Sequence, residues 1–491
     1  MTVLEGAMLP VVDALDVPTD LLLDGRWRPA GSGRRLAVTD PSSDAVLATV
    51  ADAGVEDARA AVDAAAAAAA GWAATAPRAR SEVLLRTFEL MRDRSEELAL
   101  LISLENGKAL PDARAEVAYA AEFFRWYAEE GVRLRGQLGV SPGGANHMLV
   151  SYQPVGVSVL VTPWNFPAAM ATRKIAPALA AGCTAVLKPA AETPLTALAV
   201  AALLLEAGVP AGVLNVVTTS EPGPVVAAML TDRRTRMLSF TGSTEVGRVL
   251  LRTAADQVLK CGMELGGNAP FLVLADADVD AALEGAMVAK MRNGGQACTA
   301  ANRFYVHTDV HDAFVAGLVA RMGAVRVGPG SDEATRCGPL IDRAAVVKVD
   351  GLVQDALDRG ARALLGGRPV DGAGSFYPPT VLVDVPPQAR VLHEEVFGPV
   401  APVVRFEHEE DVLAAVNDTD YGLVSYLYTG DLAHGLALAE RLESGMVGLN
   451  RGLVSDPAAP FGGVKQSGLG REGSTEGLLE FLEARYVATS W

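Results

Sequence analysis

Apolar positions in residues 54–131 recur at helical spacing among Ala, Glu and Arg, including an alanine run at 64–70 and the stretch Ser81-Glu82-Val83-Leu84-Leu85-Arg86. This pattern predicts helices, not a low-complexity linker. After Gly131 the composition changes. Residues 149–162 are rich in Val, Ser and Tyr, and short apolar runs then alternate with helical segments. Buried strands are predicted at 155–162, 184–187, 213–218 and 237–240, with crossover helices at 168–181, 194–207 and 221–230. That order reads as a doubly wound parallel sheet, whose ligands bind beyond the carboxyl ends of the strands. A second alternation, with strands at 271–274, 303–306, 377–383, 401–406, 423–428 and 446–450, predicts a second α/β domain.

At 491 residues the chain exceeds the size at which one hydrophobic core keeps growing, so two or three domains are expected. Its net charge is −17 and no Lys/Arg-rich run occurs, which argues against a nucleic-acid surface. No basic segment and apolar core open the chain, and no apolar run approaches bilayer length, so a cytoplasmic protein without a membrane anchor is expected. Cys183, Cys261, Cys298 and Cys337 lie far apart without a CxxC pair, suggesting reduced thiols and neither a metal site nor a disulfide framework.

Among these, Cys298 follows Asn293-Gly294-Gly295-Gln296-Ala297, where two glycines let the backbone approach another group closely. A nucleophilic thiol needs donors for the oxyanion it creates and a base for the later step. Asn165, in Pro163-Trp164-Asn165-Phe166-Pro167 just past a predicted strand, offers the donor, and Glu264, in Met263-Glu264-Leu265-Gly266-Gly267, offers the base. Phe240-Thr241-Gly242-Ser243 follows a strand and opens a helix. It lacks the GxGxxG spacing but suits an anion at a helix N-terminus. Lys188 stands at a strand end, where a nucleotide ribose or phosphate would lie. Each feature alone also has an ordinary structural explanation: a core cysteine, a turn carboxylate, a loop amide or a surface lysine.

Together with Glu394-Glu395-Val396-Phe397-Gly398-Pro399, these segments resemble the aldehyde dehydrogenase superfamily, in its order and about its spacing, from about Leu22 onward. The resemblance implies a Rossmann-like cofactor domain (1–131 and 155–266), an α/β catalytic domain (267–466) and a small β oligomerisation element (132–154 and 467–491). It implies that Cys298 attacks an aldehyde, that Asn165 and the Cys298 N–H hold the oxyanion, and that Glu264 activates the hydrolytic water. Trp164, Gly242, Ser243, Glu395 and Phe397 are expected around the nicotinamide cofactor. NAD-preferring relatives commonly carry a glutamate where this chain has Ala191, and losing that carboxylate beside Lys188 favours NADP, with NAD possible, although Glu192 is adjacent.

The chain further looks like the succinate-semialdehyde dehydrogenase branch, in which Arg173, Arg292 and Ser455 would grip the substrate carboxylate. Pairing of the two arginines with protein carboxylates is the alternative. Longer substrates such as glutarate semialdehyde, a non-catalytic scaffold and a cofactor-independent thioesterase also stay open. The branch's second cysteine two residues after the nucleophile is replaced by Ala300, so no local thiol switch is expected. A homodimer or homotetramer is implied, with residues 486–489 as an edge strand.

Overall fold

The computed structural model describes residues 17–491, so the start of the expected cofactor domain, residues 1–16, lies outside the described residues. Four helices, Val55–Ala74, Pro77–Asp93, Ser95–Asn106 and Leu110–Gly131, account for the helical periodicity after residue 54. The alanine run lies inside the first of them. Its small side chains let backbones approach: a Cβ at Gly212 would sit 2.7 Å from the Ala64 carbonyl oxygen.

An eight-stranded sheet runs in the order Gly468–Leu469, Lys260–Glu264, Thr235–Thr241, Val157–Val161, Thr184–Lys188, Leu214–Val216, Leu21–Leu23, Arg26–Arg28. From Lys260–Glu264 to Leu214–Val216 all neighbours are parallel, and both outer parts are antiparallel. The helices Pro167–Ala181, Pro194–Glu206 and Pro222–Leu230 follow three of these strands. Each carries proline at its first position, where the missing N–H is not needed.

A seven-stranded sheet orders Arg362–Leu365, Thr380–Val383, Val400–Phe406, Ala301–His307, Ala269–Val273, Val424–Tyr428 and Met446–Leu449, parallel except at its first strand. The strand expected from residue 377 begins only at Thr380, because Pro378 and Pro379 have no N–H to pair. The strand expected at 155 begins at Val157, after Gly156 turns the chain at φ +120°. The run expected over 213–218 is a ladder only at Leu214–Val216. Beyond it, the Thr218 and Thr219 hydroxyls donate to the carbonyls of Ala51 and Ala53.

Strands Gln137–Val140, His147–Pro154 and Leu482–Thr489 form a separate antiparallel sheet, with Leu482–Thr489 at its edge. The segment 467–481, grouped from sequence with this small element, packs elsewhere. Gly468–Leu469 pairs with Met263–Glu264, and Leu478 and Phe481 are buried in the core of the helical layer. Among the described residues no helix is long and apolar enough to cross a membrane.

Candidate active site

Chemistry converges where the two large sheets meet. Cys298 follows a tight turn at Arg292–Gly295 in which Asn293, Gly294 and Gly295 all have positive φ. Glycine is required at 295: a Cβ there would lie 2.2 Å from the Gly398 carbonyl oxygen, so the nucleophile loop is docked backbone to backbone on the Glu395–Pro399 segment. Gly267 does the same from the other side, its Cβ position 2.7 Å from the Cys298 carbonyl oxygen. The Cys298 side chain is half-buried and opens to a cavity. Burial pushes its thiol up to about 12; Arg173 and Arg292 oppose the shift, while Glu264 and Glu395 add to it.

Glu264 is the last residue of strand Lys260–Glu264 and is 3% exposed, with neither carboxylate oxygen hydrogen-bonded among the described residues. Burial, reinforced by Glu472, raises its pKa well above the ordinary carboxylate range, against the pull of Arg173, Lys174 and Arg471. A carboxyl whose pKa is raised in this way is suited to general-base work. Asn165 sits beyond strand Val157–Val161, and its Nδ2 donates to the Gln296 carbonyl at 3.1 Å, leaving a second N–H for an incoming oxygen. The Cys298 main-chain N–H has no acceptor among the described residues. Asn165 and the nucleophile loop are therefore joined, with two donors available near the sulfur.

A cavity of about 1030 Å³ runs from the strand ends of the eight-stranded sheet to Cys298. Every cofactor residue expected from sequence lines it: Trp164, Lys188, Ala191, Gly242, Ser243, Glu395 and Phe397. Ser243 caps the helix Thr244–Ala255, accepting from the Val246 N–H at 3.3 Å, and so places a helix N-terminus at the cavity wall. A Cβ at Gly242 would lie 2.4 Å from the Phe240 ring, so this turn admits only glycine without displacing Phe240. Lys188 closes its strand and is buried, with no protein acceptor among the described residues. Glu395 accepts from the Gly267 N–H at 3.2 Å, and burial raises its carboxyl to about 7. Phe397 adopts φ +56° and meets Trp164 edge to face at 5.4 Å. The cavity's volume, a helix N-terminus, a buried cation and an aromatic pair on one lining that also reaches Cys298 fit a dinucleotide.

The residues expected to grip the substrate lie outside this cavity's lining. Arg292 stacks over Phe166 at 4.6 Å and Tyr119 at 5.9 Å and has no carboxylate partner among the described residues. Arg173 differs. It is buried, donates to the Tyr119 hydroxyl at 2.5 Å, stands 4.1 Å above Phe461, and its Nε lies 3.4 Å from Glu472. The pairing alternative weighed for these arginines thus applies to Arg173 and not to Arg292. Ser455 is half-buried in the loop after Met446–Leu449, its hydroxyl without a hydrogen bond among the described residues.

Sequence reasoning missed a set of polar residues beneath the site. The Asn165 carbonyl accepts from Lys108 Nζ at 2.7 Å and from Asn293 Nδ2 at 2.8 Å. Asn106 Nδ2 donates to the Trp164 carbonyl at 3.0 Å, and Asp112 accepts the Asn293 N–H at 2.9 Å. One signal was available: the chain has only seven lysines, and Lys108, Lys174, Lys188 and Lys290 are all buried near this centre.

Fold and cavity together fit a nucleotide-dependent enzyme. The aldehyde dehydrogenase family model matches residues 27–487, and the chain belongs to that family. It is 55% identical to the succinate-semialdehyde dehydrogenase of Paenarthrobacter nicotinovorans, covering 90% of this chain and 98% of that one. It is 48% identical to the glutarate-semialdehyde dehydrogenase of Pseudomonas putida, covering 95% and 97%. A crystal structure described as an E. coli NADP-dependent enzyme superposes with a TM-score of 0.96 at 47% identity, covering 98% of this chain and 99% of that one.

Proposed function

We infer that the protein oxidises succinate semialdehyde to succinate with reduction of NADP, NAD being a possible second cofactor. The observation that carries the reading is the unpaired guanidinium of Arg292, held on an aromatic shelf close enough to Cys298 to oppose the rise of its thiol pKa. A guanidinium with no ion-pair partner among the described residues, in a −17 chain, is suited to a substrate that brings its own carboxylate. Arg173 shares the aromatic shelf at Tyr119 and, anchored by Glu472, supplies further positive potential. Ser455 is the third proposed carboxylate ligand. The names of the relatives agree with a terminal-carboxylate aldehyde, and they also keep glutarate semialdehyde as the second reading.

In this reading the Cys298 thiolate attacks the aldehyde carbon, and the new alkoxide is held by Asn165 Nδ2 and the Cys298 N–H. A nicotinamide held in the cavity would supply the acceptor for the hydride that leaves the thiohemiacetal carbon. Lys188, Ser243 and Glu395 hold the cofactor, and the absence of a carboxylate at Ala191 beside the free Lys188 supports a 2′-phosphate. Glu192 also lines the cavity and raises the pKa of Lys188 against burial, but its exposure to water weakens its repulsion of a 2′-phosphate. Glu264 takes a proton from the water that attacks the thioester, and the carbon–sulfur bond breaks to release the carboxylic acid and the Cys298 thiolate.

The edge strand Leu482–Thr489 and the exposed Leu138, Val140, Tyr486 and Val487 on its sheet support a homodimer or homotetramer. The free cysteines support a cytoplasmic setting. The test of the chemistry is stopped-flow NADPH formation by Glu264→Gln. The variant should give one enzyme equivalent of NADPH and then stall at deacylation. Loss of the first turnover itself would refute the late-base role.

A further inference from the structure

The loop before helix Leu110–Gly131 and the first turns of that helix send a buried cation and two carboxylates under the active site. None of them lines the cavity that reaches Cys298. Lys108 and Glu116 form an ion pair in which both side chains are wholly inaccessible. Such a pair contributes little net stability over an apolar packing of the same volume, because desolvation offsets its attraction. Its geometric role is what distinguishes it.

Three contacts leave Lys108. Its ammonium donates to the Asn165 carbonyl at 2.7 Å, pairs with Glu116, and stands 4.0 Å from the centre of the Phe166 ring. Phe166 is the ring over which Arg292 also stacks, at 4.6 Å. Glu116, through its other oxygen, accepts the N–H groups of Ala168 and Ala169 at 2.9 and 3.2 Å, the first turn of the helix that carries Arg173. Asn293 completes the frame from the nucleophile side. Its Nδ2 donates to both the Asn165 and Gln296 carbonyls, at 2.8 and 3.2 Å, while Asp112 fixes its main chain.

We propose that Lys108 and Asn293 are positioning residues that clamp the Asn165 carbonyl so that its amide meets the oxyanion, and that Lys108, through Phe166, sets the substrate-facing Arg292 in the same frame. The two halves of recognition, the reacting carbonyl and the distant carboxylate, are then registered by one buried cation. Neither residue touches substrate. The Arg292 half rests on the functional reading above, whereas the oxyanion half needs only the thiol and its donors.

Two variants separate the roles. Lys108→Met with Glu116→Gln removes both buried charges together and keeps an acceptor for Ala168, which avoids leaving one charge unpaired. Asn293→Gly deletes the amide but tolerates the observed φ of +51°. The first readout is the p-nitrophenolate burst from p-nitrophenyl acetate without nucleotide, which requires acylation of Cys298 and an oxyanion site but no cofactor. Both variants should slow the burst at least tenfold, a fraction of the roughly 10²–10³ lost with a whole oxyanion donor. The second readout is the kcat/KM ratio between succinate semialdehyde and a neutral aldehyde of similar length. It should fall at least fivefold in the double variant and stay within twofold in Asn293→Gly.

NADP affinity, read by fluorescence quenching, should be unchanged in both variants and serves as the check on folding. A folded double variant whose burst is within twofold of the unsubstituted enzyme would overturn the proposal, as would a full burst in Asn293→Gly if the double variant does not fold. An unsubstituted enzyme that shows the burst but no preference for the semialdehyde would remove the functional reading and leave the oxyanion half standing.

Discussion

Substituting Gly295 by alanine tests the docking of the nucleophile loop on the Glu395–Pro399 segment. The residue has φ +77°, a conformation that takes roughly 1–2 kcal/mol from any residue with a Cβ. The added Cβ would also lie 2.2 Å from the Gly398 oxygen and 2.6 Å from its carbonyl carbon. Those are backbone atoms with no rotamer to relieve them, so overpacking adds roughly 1–3 kcal/mol. Gly294→Ala is the internal comparison, because it has φ +59° but its Cβ would meet the Cys337 sulfur at 3.5 Å and Gln296 Nε2 at 4.0 Å, both ordinary contacts.

The expected order of urea midpoints, followed by tryptophan fluorescence, is unsubstituted enzyme, then Gly294→Ala, then Gly295→Ala, with about 2–5 kcal/mol lost in the last. Midpoints are the quantity to compare, since a chain of several domains need not unfold in two states. Because relief of the overlap must move the loop that bears Cys298, Gly295→Ala should also lose at least tenfold in kcat on the folded enzyme. Equal midpoints for the two variants, or an undiminished kcat in Gly295→Ala, would show that the loops are not docked in this way.

Two further outcomes follow from the charges around the sulfur. Arg292→Gln should raise KM for succinate semialdehyde at least tenfold with little change in stability, since Arg292 has no ion-pair partner among the described residues and Asp112 keeps its bond to the Asn293 N–H. Arg173→Met should lower both activity and the urea midpoint, because Glu472 is then compensated by Lys174 alone. Identical behaviour of the two variants would contradict the different environments of these arginines. With its thiol pushed up to about 12, Cys298 in the cofactor-free enzyme should react slowly with iodoacetamide at pH 7. The rate should climb about tenfold per pH unit towards pH 9, as the thiolate fraction does, and Arg173→Met should slow it further. A rate independent of pH over that range, with the label mapped to Cys298, would mean that the thiolate already exists.

The parts of the site legible in the sequence are those fixed by short-range rules. Lys188, Glu264 and Ser243 lie at strand ends and a helix start, where periodicity ends and a turn begins, and the structure places each there. Cys298 was marked by neighbouring glycines, whose close approaches are now visible at Gly398. The parts that were not legible depend on long-range packing. Nothing local ties Arg173 to Glu472 or Lys108 to the Asn165 carbonyl, and a lysine after a helix end reads as solvated until the tertiary structure buries it. The fold shows the same division. Gly156 and the two prolines at 378 and 379 shortened strands by local rules that could have been applied. The departure of Gly468–Leu469 to the larger sheet was decided by the burial of Leu478 and Phe481.

The most direct test of the whole account is the initial rate of NADPH and NADH formation with succinate semialdehyde, glutarate semialdehyde and a neutral aldehyde of similar length. The highest kcat/KM is expected for succinate semialdehyde with NADP. Arg292→Gln should bring this value down towards that of the neutral aldehyde. Preference for the neutral aldehyde by the unsubstituted enzyme would contradict the carboxylate role of Arg292, and absence of reduction with every pair would contradict the catalytic reading of Cys298, Asn165 and Glu264.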